Sequence, residues 1–298
     1  MEYTYNVAGH RFSIQADEGD YCAFLPDALA HYAPFSCGAT ASEACDEAAA
    51  PVFRLTLVPE PELPEPSGLV EEFTQDDDGS QIRIARTPDG RSWFEFSLLG
   101  ELSGRMLAAP DFSSAVLLPL SHPDFALNNA LMVMYAMSTA RRGTALFHAA
   151  VIGHGGRGYL FLGKSGTGKS THTFLWYKNI PGCDLMNDDN PVVRIVDGQP
   201  VIYGTPWSGK TPCYRNMELP LGGFVQLAQA PHNEIRRLKG ITAYAALVPS
   251  ISGKRWDKAI ADGLHETENA LASTVPVWHL DCLPDEAAAR LCAGTITV

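Results

Sequence analysis

The first part of the chain shows the two-residue periodicity of β-strands. Apolar and polar residues alternate on both sides of Gly9, which predicts a β-hairpin over residues 2–16. Four further runs predict strands at Val52–Val58, Gln81–Arg86, Ser92–Leu98 and Ser114–Leu118. Acidic stretches rich in proline and alanine, such as Pro59–Pro66, predict loops. These features indicate a β-rich accessory domain.

The periodicity changes near Asp124. The segment DFALNNALMVMYAMSTARRG has helical composition, with Asp124 as N-cap and Arg141 and Arg142 in the last turn before Gly143. This helix is expected to link a β-rich domain over residues 1–142 to a second domain over residues 143–298.

Strands and helices alternate in the second part of the chain. The hydrophobic pattern predicts one continuous strand over Ala145–Ile152 and a second over Gly158–Leu162, separated by the turn GHGG. The later strands are expected at Val192–Val196, Val201–Tyr203, Gly223–Leu227 and Val275–Leu280, and the helices at Ala243–Leu247, Lys254–Leu271 and Asp285–Cys292. This order predicts an α/β domain.

The formal charge of −12 is concentrated in the first 80 residues, which hold 16 acidic and 2 basic residues. A nucleic-acid partner is not expected, because neutralising phosphates requires basic patches. The acidic face either keeps the protein in solution or recruits a basic partner. No apolar run approaches the roughly 20 residues of a membrane helix, and the N-terminal residues do not resemble a signal peptide. We therefore expect a cytoplasmic protein with no membrane partner.

The chain has seven cysteines and no CxxC pair. This odd number and spacing suggest neither a disulfide framework nor a zinc site, so all seven are expected to be reduced structural thiols.

The strongest motif is a complete phosphate-binding loop, GKSGTGKS, between the apolar run YLFL and the helix-compatible run THTFLWYK. The alternative is a chance glycine-rich turn. Backbone N–H groups of such a loop converge on phosphate, and the N-terminus of the following helix adds partial positive charge. Lys169 is expected to bridge the β- and γ-phosphates of ATP, and the Ser170 hydroxyl to bind Mg²⁺. The residues expected to bind the nucleotide are Gly163, Lys164, Ser165, Gly166, Thr167, Gly168, Lys169, Ser170 and Thr171.

Two adjacent carboxylates, Asp188 and Asp189, follow about twenty residues after this loop, where a later strand should end. One carboxylate can bind Mg²⁺ while the other takes a proton from an attacking hydroxyl. The alternative is a polar turn, which Asn-Asp-Asp-Asn also favours.

The spacing of three motifs resembles the catalytic domain of HPr kinase/phosphorylase and, more distantly, the phosphoenolpyruvate carboxykinase superfamily. These motifs are Phe147–Ile152, with a histidine fifteen residues before the first loop glycine, the phosphate-binding loop and Asn187–Asp189. The resemblance covers about residues 144–298. It implies a mixed sheet carrying the loop, and the family's hexamers make a homo-oligomer an expectation.

The resemblance also implies residue roles. Asp188 and Ser170 would bind Mg²⁺, Asp189 would be the general base, and His148 would hydrogen-bond Asp189. Taken without the family, a histidine within an apolar strand is more often a core residue.

A second loop, Gly204–Thr211, contains two glycines, small hydroxyl residues and a lysine. Lys210 or Arg215 could stabilise the charge that develops on the transferred phosphoryl group. Trp207 could instead be a plain packing residue.

The sequence departs from HPr kinases in two places. Glu218–Gly223 replaces their glycine-rich signature and lacks its arginine, which puts HPr recognition and the reverse phosphorolysis in doubt. The N-terminal region shows no match to the family's own N-terminal domain.

The leading hypothesis is therefore an ATP- and Mg²⁺-dependent kinase acting on a hydroxyl, with serine in a protein or peptide as the acceptor. A small-molecule phosphotransferase of carboxykinase type would usually have a much longer chain and extra arginines. A third alternative is a non-catalytic module in which ATP only biases a conformation.

Overall fold

The computed structural model describes residues 1–17, 19, 22–37, 50–59, 63–64, 66–75, 79–209 and 211–297. The chain forms two compact units, Met1–Ser138 and Thr139–Val298. The boundary lies at the end of the helix predicted near Asp124. Within the described ranges, no helix is long and apolar enough to cross a lipid bilayer.

Unit 1 is built on an eight-stranded mixed sheet in the order β1-β2-β3-β8-β7-β6-β5-β4. The strands are β1 Glu2–Val7, β2 His10–Ala16, β3 Phe53–Leu57, β4 Leu69–Gln75, β5 Ser80–Arg86, β6 Ser92–Leu98, β7 Glu101–Ala108 and β8 Ser114–Pro119. Strand β3 runs parallel to both β2 and β8, and the other neighbours are antiparallel. The predicted hairpin is present as β1 and β2.

Three helical segments complete unit 1: α1 Leu25–Ala28, a 3₁₀ helix Ala30–Phe35 and α2 Pro123–Thr139. Helix α2 packs on the sheet, and the Tyr135 hydroxyl donates to the Val7 carbonyl at 3.0 Å. Phe12 and Phe53 stack with ring centroids 4.9 Å apart. Both rings are fully buried, so the core of unit 1 includes the region where β2 and β3 lie side by side.

The cysteine prediction is wrong in one respect. Cys37 is disulfide-bonded, whereas Cys22, Cys183, Cys213, Cys282 and Cys292 are free thiols. A disulfide depends on how close the fold brings two Cα atoms, so the absence of a CxxC pair does not exclude one.

Unit 2 contains a second, larger mixed sheet. Its strands are β9 Thr144–Phe147, β10 Ala149–His154, β11 Arg157–Leu162, β12 Asp184–Asp189, β13 Val192–Val196, β14 Gln199–Tyr203, β15 Glu218–Gln229, β16 Glu234–Leu238, β17 Ile251–Ser252 and β18 Val277–Cys282. The main order is β12-β10-β11-β15-β14-β13-β9-β17, and β18 pairs with β15 and β16. Strands β11, β15 and β18 are parallel, whereas β10 is antiparallel to β11 and β12.

The helices of unit 2 are α3 Lys169–Asn179, α4 Ile241–Leu247, a 3₁₀ helix Val248–Ser250, α5 Lys258–Thr274 and α6 Glu286–Ile296. Asp257 and Asp285 cap the N-termini of α5 and α6 through their side chains. Trp176 of α3 is fully buried in a core cluster with Phe161 of β11 and Ala293 of α6. This packing fixes α3 against the strand that precedes it.

The strand predicted over Ala145–Ile152 is not continuous, because it is interrupted at His148. Residues before the break form β9, which pairs with β13 and β17, and residues after it form β10, which pairs with β11 and β12. The His148 N–H donates to the Ser250 carbonyl at 2.6 Å. Hydrophobicity alone did not predict the break because all of β9 and nearly all of β10 are buried.

Candidate functional site

The glycine-rich loop joins the end of β11 to the start of α3. Gly168 precedes the helix with a φ of 103°, a left-handed conformation that a side chain would disfavour. The following residue, Lys169, begins α3. The loop thus ends directly at the N-terminus of α3, and helix N-termini are positions at which anions can bind.

Lys169 points back into this loop and is only 8% exposed. Its ammonium group donates to the carbonyls of Gly163 and Lys164 at 3.0 and 3.3 Å and contacts His148 Nε2 at 2.8 Å. Burial lowers the pKa of Lys169, and the negative charges of Asp189 and Asp188 oppose that shift. These contacts use all three donors of the ammonium group.

His148 connects Lys169 to Asp189. Because the Lys169 ammonium group has only donors, His148 Nε2 accepts from it and the ring proton lies on Nδ1. Nδ1 lies 3.0 Å from Asp189 Oδ1 and donates to it. The side chains of His148 and Asp189 are 35% and 34% exposed, so the pair is reachable from solvent.

The other carboxylate of the pair lies beside the start of α3. The Ser170 hydroxyl donates to Asp188 Oδ1 at 2.7 Å, and Asp188 is 4% exposed. Both aspartates are the last residues of β12; a strand end was expected here from the sequence, but no bounds were predicted for the strand. The antiparallel pairing of Asp188 with Ala150 sets β12 beside the strand that follows His148.

The backbone at Asp189 is strained. Its φ is 151°, a value that residues with a side chain rarely adopt. The Asn190 side chain donates to Asp189 Oδ2 at 2.7 Å, and Asp189 forms an isolated bridge with Ser208. Both carboxylate oxygens of Asp189 therefore accept a hydrogen bond.

The loop after β14 forms hydrogen bonds with the aspartate pair and with the residues on either side of it. The Gly209 N–H donates to the Asp188 carbonyl at 2.5 Å. Fully buried Asn187 donates to the Thr205 hydroxyl at 3.1 Å, and that hydroxyl donates to the Asn190 carbonyl at 2.7 Å. Neither Thr205, within the predicted loop Gly204–Thr211, nor Asn190 was given this role from the sequence, because nothing in the sequence indicates that these two segments meet.

Of the two predicted cation candidates, Arg215 alone lies within the described residues. Lys210 lies outside the described residues. Arg215 is not brought to the aspartate pair: its guanidinium group contacts Asp184 Oδ2 at 2.5 Å and the Leu185 carbonyl at 2.6 Å. Asp184 begins β12, about 16 Å along an extended strand from Asp189. Trp207 is 2% exposed and packs as a core residue.

The remaining loop residues are more open. Lys164, Ser165, Gly166, Ser170 and Thr171 are exposed, whereas Thr167 and Gly168 are partly buried. The Gln229 amide at the end of β15 donates to the Gly166 carbonyl at 3.1 Å. This contact, which the sequence did not predict, ties the tip of the loop to the neighbouring parallel strand.

The donor set fits a magnesium–nucleotide complex. In the part of the chain that the structure describes, no group of three or more His, Cys, Asp or Glu could hold a metal. Mg²⁺ needs no such group, because it usually keeps several waters and binds one or two carboxylates together with substrate phosphates. The Ser170 hydroxyl and the Asp188 carboxylate are suitable ligands.

The close contact between the segments around Gly204 and Arg215 gives a stability prediction. A Cβ atom at Gly204 would overlap the Arg215 carbonyl oxygen, so Gly204→Ala should lower the free energy of unfolding by about 1–3 kcal/mol. At Gly294, inside α6, a Cβ would meet no atom within 4 Å. Gly294→Ala should therefore raise that free energy by about 0.5–1 kcal/mol. Denaturant unfolding of both variants checks the pair, and equal effects would contradict it.

The comparisons with known proteins find similarity at the level of structure. No family model matches the chain, and no curated protein matches it significantly. A solved structure described as the Hpr(Ser) kinase/phosphatase from Coxiella burnetii is similar over 51% of this chain and 93% of its own length. The sequence identity is 11% and the TM-score is 0.30. The two mixed sheets make this chain a mixed α/β protein, and its likeness to that kinase is distant.

Proposed function

We propose that this protein is an ATP- and Mg²⁺-dependent phosphotransferase that acts on a hydroxyl group, with serine in a protein or peptide as its acceptor. The observation that carries the proposal is the division of labour between two consecutive carboxylates. Asp188 contacts Ser170 at 2.7 Å, and Asp189 contacts His148 at 3.0 Å. One carboxylate is thus beside the phosphate loop and the other is beside a histidine.

The chain's own residues would bind and orient the nucleotide. The loop N–H groups and Lys169 would hold its phosphates, and Ser170 and Asp188 would hold the metal ion. When bound, the magnesium complex of ATP would supply the phosphoryl group and partly neutralise its charge. Lys169 would stabilise the negative charge that develops on the phosphoryl oxygens.

Asp189 would act as the general base. Its carboxylate would accept the proton of the incoming hydroxyl, while the His148 N–H holds Oδ1 in a fixed orientation. The exposure of this pair favours a hydroxyl presented on a protein or peptide, since a serine side chain can reach the base without entering a closed pocket.

A phosphoryl-transfer assay tests the proposal. The protein would be incubated with γ-labelled ATP, Mg²⁺ and a serine-containing peptide library, with an otherwise identical alanine library as control. We expect label on the serine library alone and no label after EDTA is added. Label on small hydroxy acids but on neither library would favour a small-molecule phosphotransferase. Nucleotide binding without label on any acceptor would favour a non-catalytic module.

A further inference from the structure

The contact between Lys169 and His148 gives His148 a second role that the proposed base chemistry does not need. We propose that His148 is a positioning residue that bridges the phosphate-binding lysine and the base, and that it holds Lys169 back until phosphate binds. This inference rests on the proposed function. The bridge has two arms, 2.8 Å from Lys169 Nζ to Nε2 and 3.0 Å from Nδ1 to Asp189 Oδ1.

The number of donors on Lys169 determines what must change when phosphate binds. All three donors are occupied, by two loop carbonyls and by His148 Nε2. A phosphate oxygen can therefore bind Lys169 only if one of these acceptors is given up. The carbonyls of Gly163 and Lys164 belong to the loop that surrounds the phosphate, whereas His148 belongs to the junction between β9 and β10. His148 is thus the acceptor that Lys169 leaves.

The surroundings of His148 keep the ring in place during this exchange. The backbone N–H of His148 donates to the Ser250 carbonyl at 2.6 Å and anchors the residue, while the ring Nδ1 keeps Asp189 as its acceptor. When Lys169 moves to phosphate, Nε2 loses a donor while the contact with the base stays. Phosphate binding at the loop would in this way change the hydrogen bonding of His148, the residue that orients the base.

Two variants of similar size separate the bridge from a merely structural role. His148→Leu removes both arms, whereas His148→Gln keeps an amide oxygen that can accept from Lys169 and an N–H that can donate to Asp189. Losing the Lys169 arm should tighten binding of a non-hydrolysable ATP analogue with Mg²⁺ by roughly two- to tenfold. Losing the Asp189 arm should slow transfer by roughly ten- to a hundredfold. His148→Gln should show both effects to a smaller degree.

Calorimetry measures the affinities, and thermal unfolding checks that the variants fold. Unchanged or weaker binding in His148→Leu would overturn the bridge, because a damaged site loses affinity together with rate. If the wild-type protein binds the analogue and His148→Leu does not bind it more tightly, only the proposed bridge is refuted. If the wild-type protein does not bind the analogue at all, the proposed function is refuted as well.

Nitrogen NMR of histidine-labelled protein provides a readout that does not depend on activity. In the free protein, the ring signals absent from His148→Gln should show protonated Nδ1 and unprotonated Nε2. Adding the ATP analogue with Mg²⁺ should shift the Nε2 signal more than the Nδ1 signal, because only Nε2 loses its donor. Equal shifts, or a ring protonated on Nε2 in the free protein, would refute the bridge.

Discussion

Asp189→Asn is expected to slow phosphoryl transfer by roughly a thousandfold, within the range for loss of a general base. The amide has nearly the shape of the carboxylate, and its oxygen still accepts from His148, but it cannot take the proton of a hydroxyl. Nucleotide affinity should stay within about twofold of the wild type, because the carboxylate of Asp189 hydrogen-bonds His148 and Asn190, which lie outside the loop of residues 163–168. The measurements are the rate of label transfer and the affinity for the ATP analogue.

The same substitution at the other end of β12 provides the matched control. Asp184 is exposed and contacts Arg215, so Asp184→Asn should leave the transfer rate unchanged. Normal transfer by Asp189→Asn would remove the base from the mechanism. An equal loss in both variants would indicate that damage to β12, rather than loss of a base, explains the result.

Lys169→Ala is expected to abolish measurable nucleotide binding, with an affinity loss of at least roughly a hundredfold. The reason is that a charge-assisted hydrogen bond to phosphate is about twice as strong as a neutral one and is made here by a buried donor. Lys169→Met retains the apolar stem and should show the same loss. Calorimetry with the ATP analogue and Mg²⁺ measures both variants.

Two controls test whether the Lys169 variants lose nucleotide binding through the lost charge or through damaged packing. Burial disfavours the charged form of Lys169, so Lys169→Met should not unfold more easily than the wild type. Lys178, exposed in the last turn of α3, is the control, and Lys178→Ala should bind normally. If Lys169→Met and Asp189→Asn lose affinity equally, the division between a binding residue and a base is refuted.

Much of unit 1 follows from local pattern, and its exceptions have physical reasons. Alternating residues predict β6 over Ser92–Leu98 with the bounds that it has in the structure. Strand β4 was not predicted because LVEEFTQ carries adjacent charges and lies at the edge of the sheet. Strand β7 was missed because a glycine and an arginine interrupt its apolar run. Sheet pairing stabilised both strands against weak local preference.

In unit 2, the sequence indicated which residues could do chemistry but not all of their contacts. The spacing of the loop and the aspartate pair was enough to nominate Ser170 and Asp188. The contact between Lys169 and His148 could not be derived, because it depends on the break between β9 and β10. The contact of Arg215 with Asp184 could not be predicted either, since a short segment rich in charged and hydroxyl groups has no pattern that specifies its partners.

Because its φ is strained, Asp189 lowers the stability of the protein at the position where the proposed chemistry needs a carboxylate. Glycine adopts that backbone conformation at little cost, so random variation selected only for a higher melting temperature would tend to replace the proposed base. An improved thermostable version of this protein should therefore be selected with a turnover requirement as well, or it would keep the fold and the nucleotide while losing its chemistry.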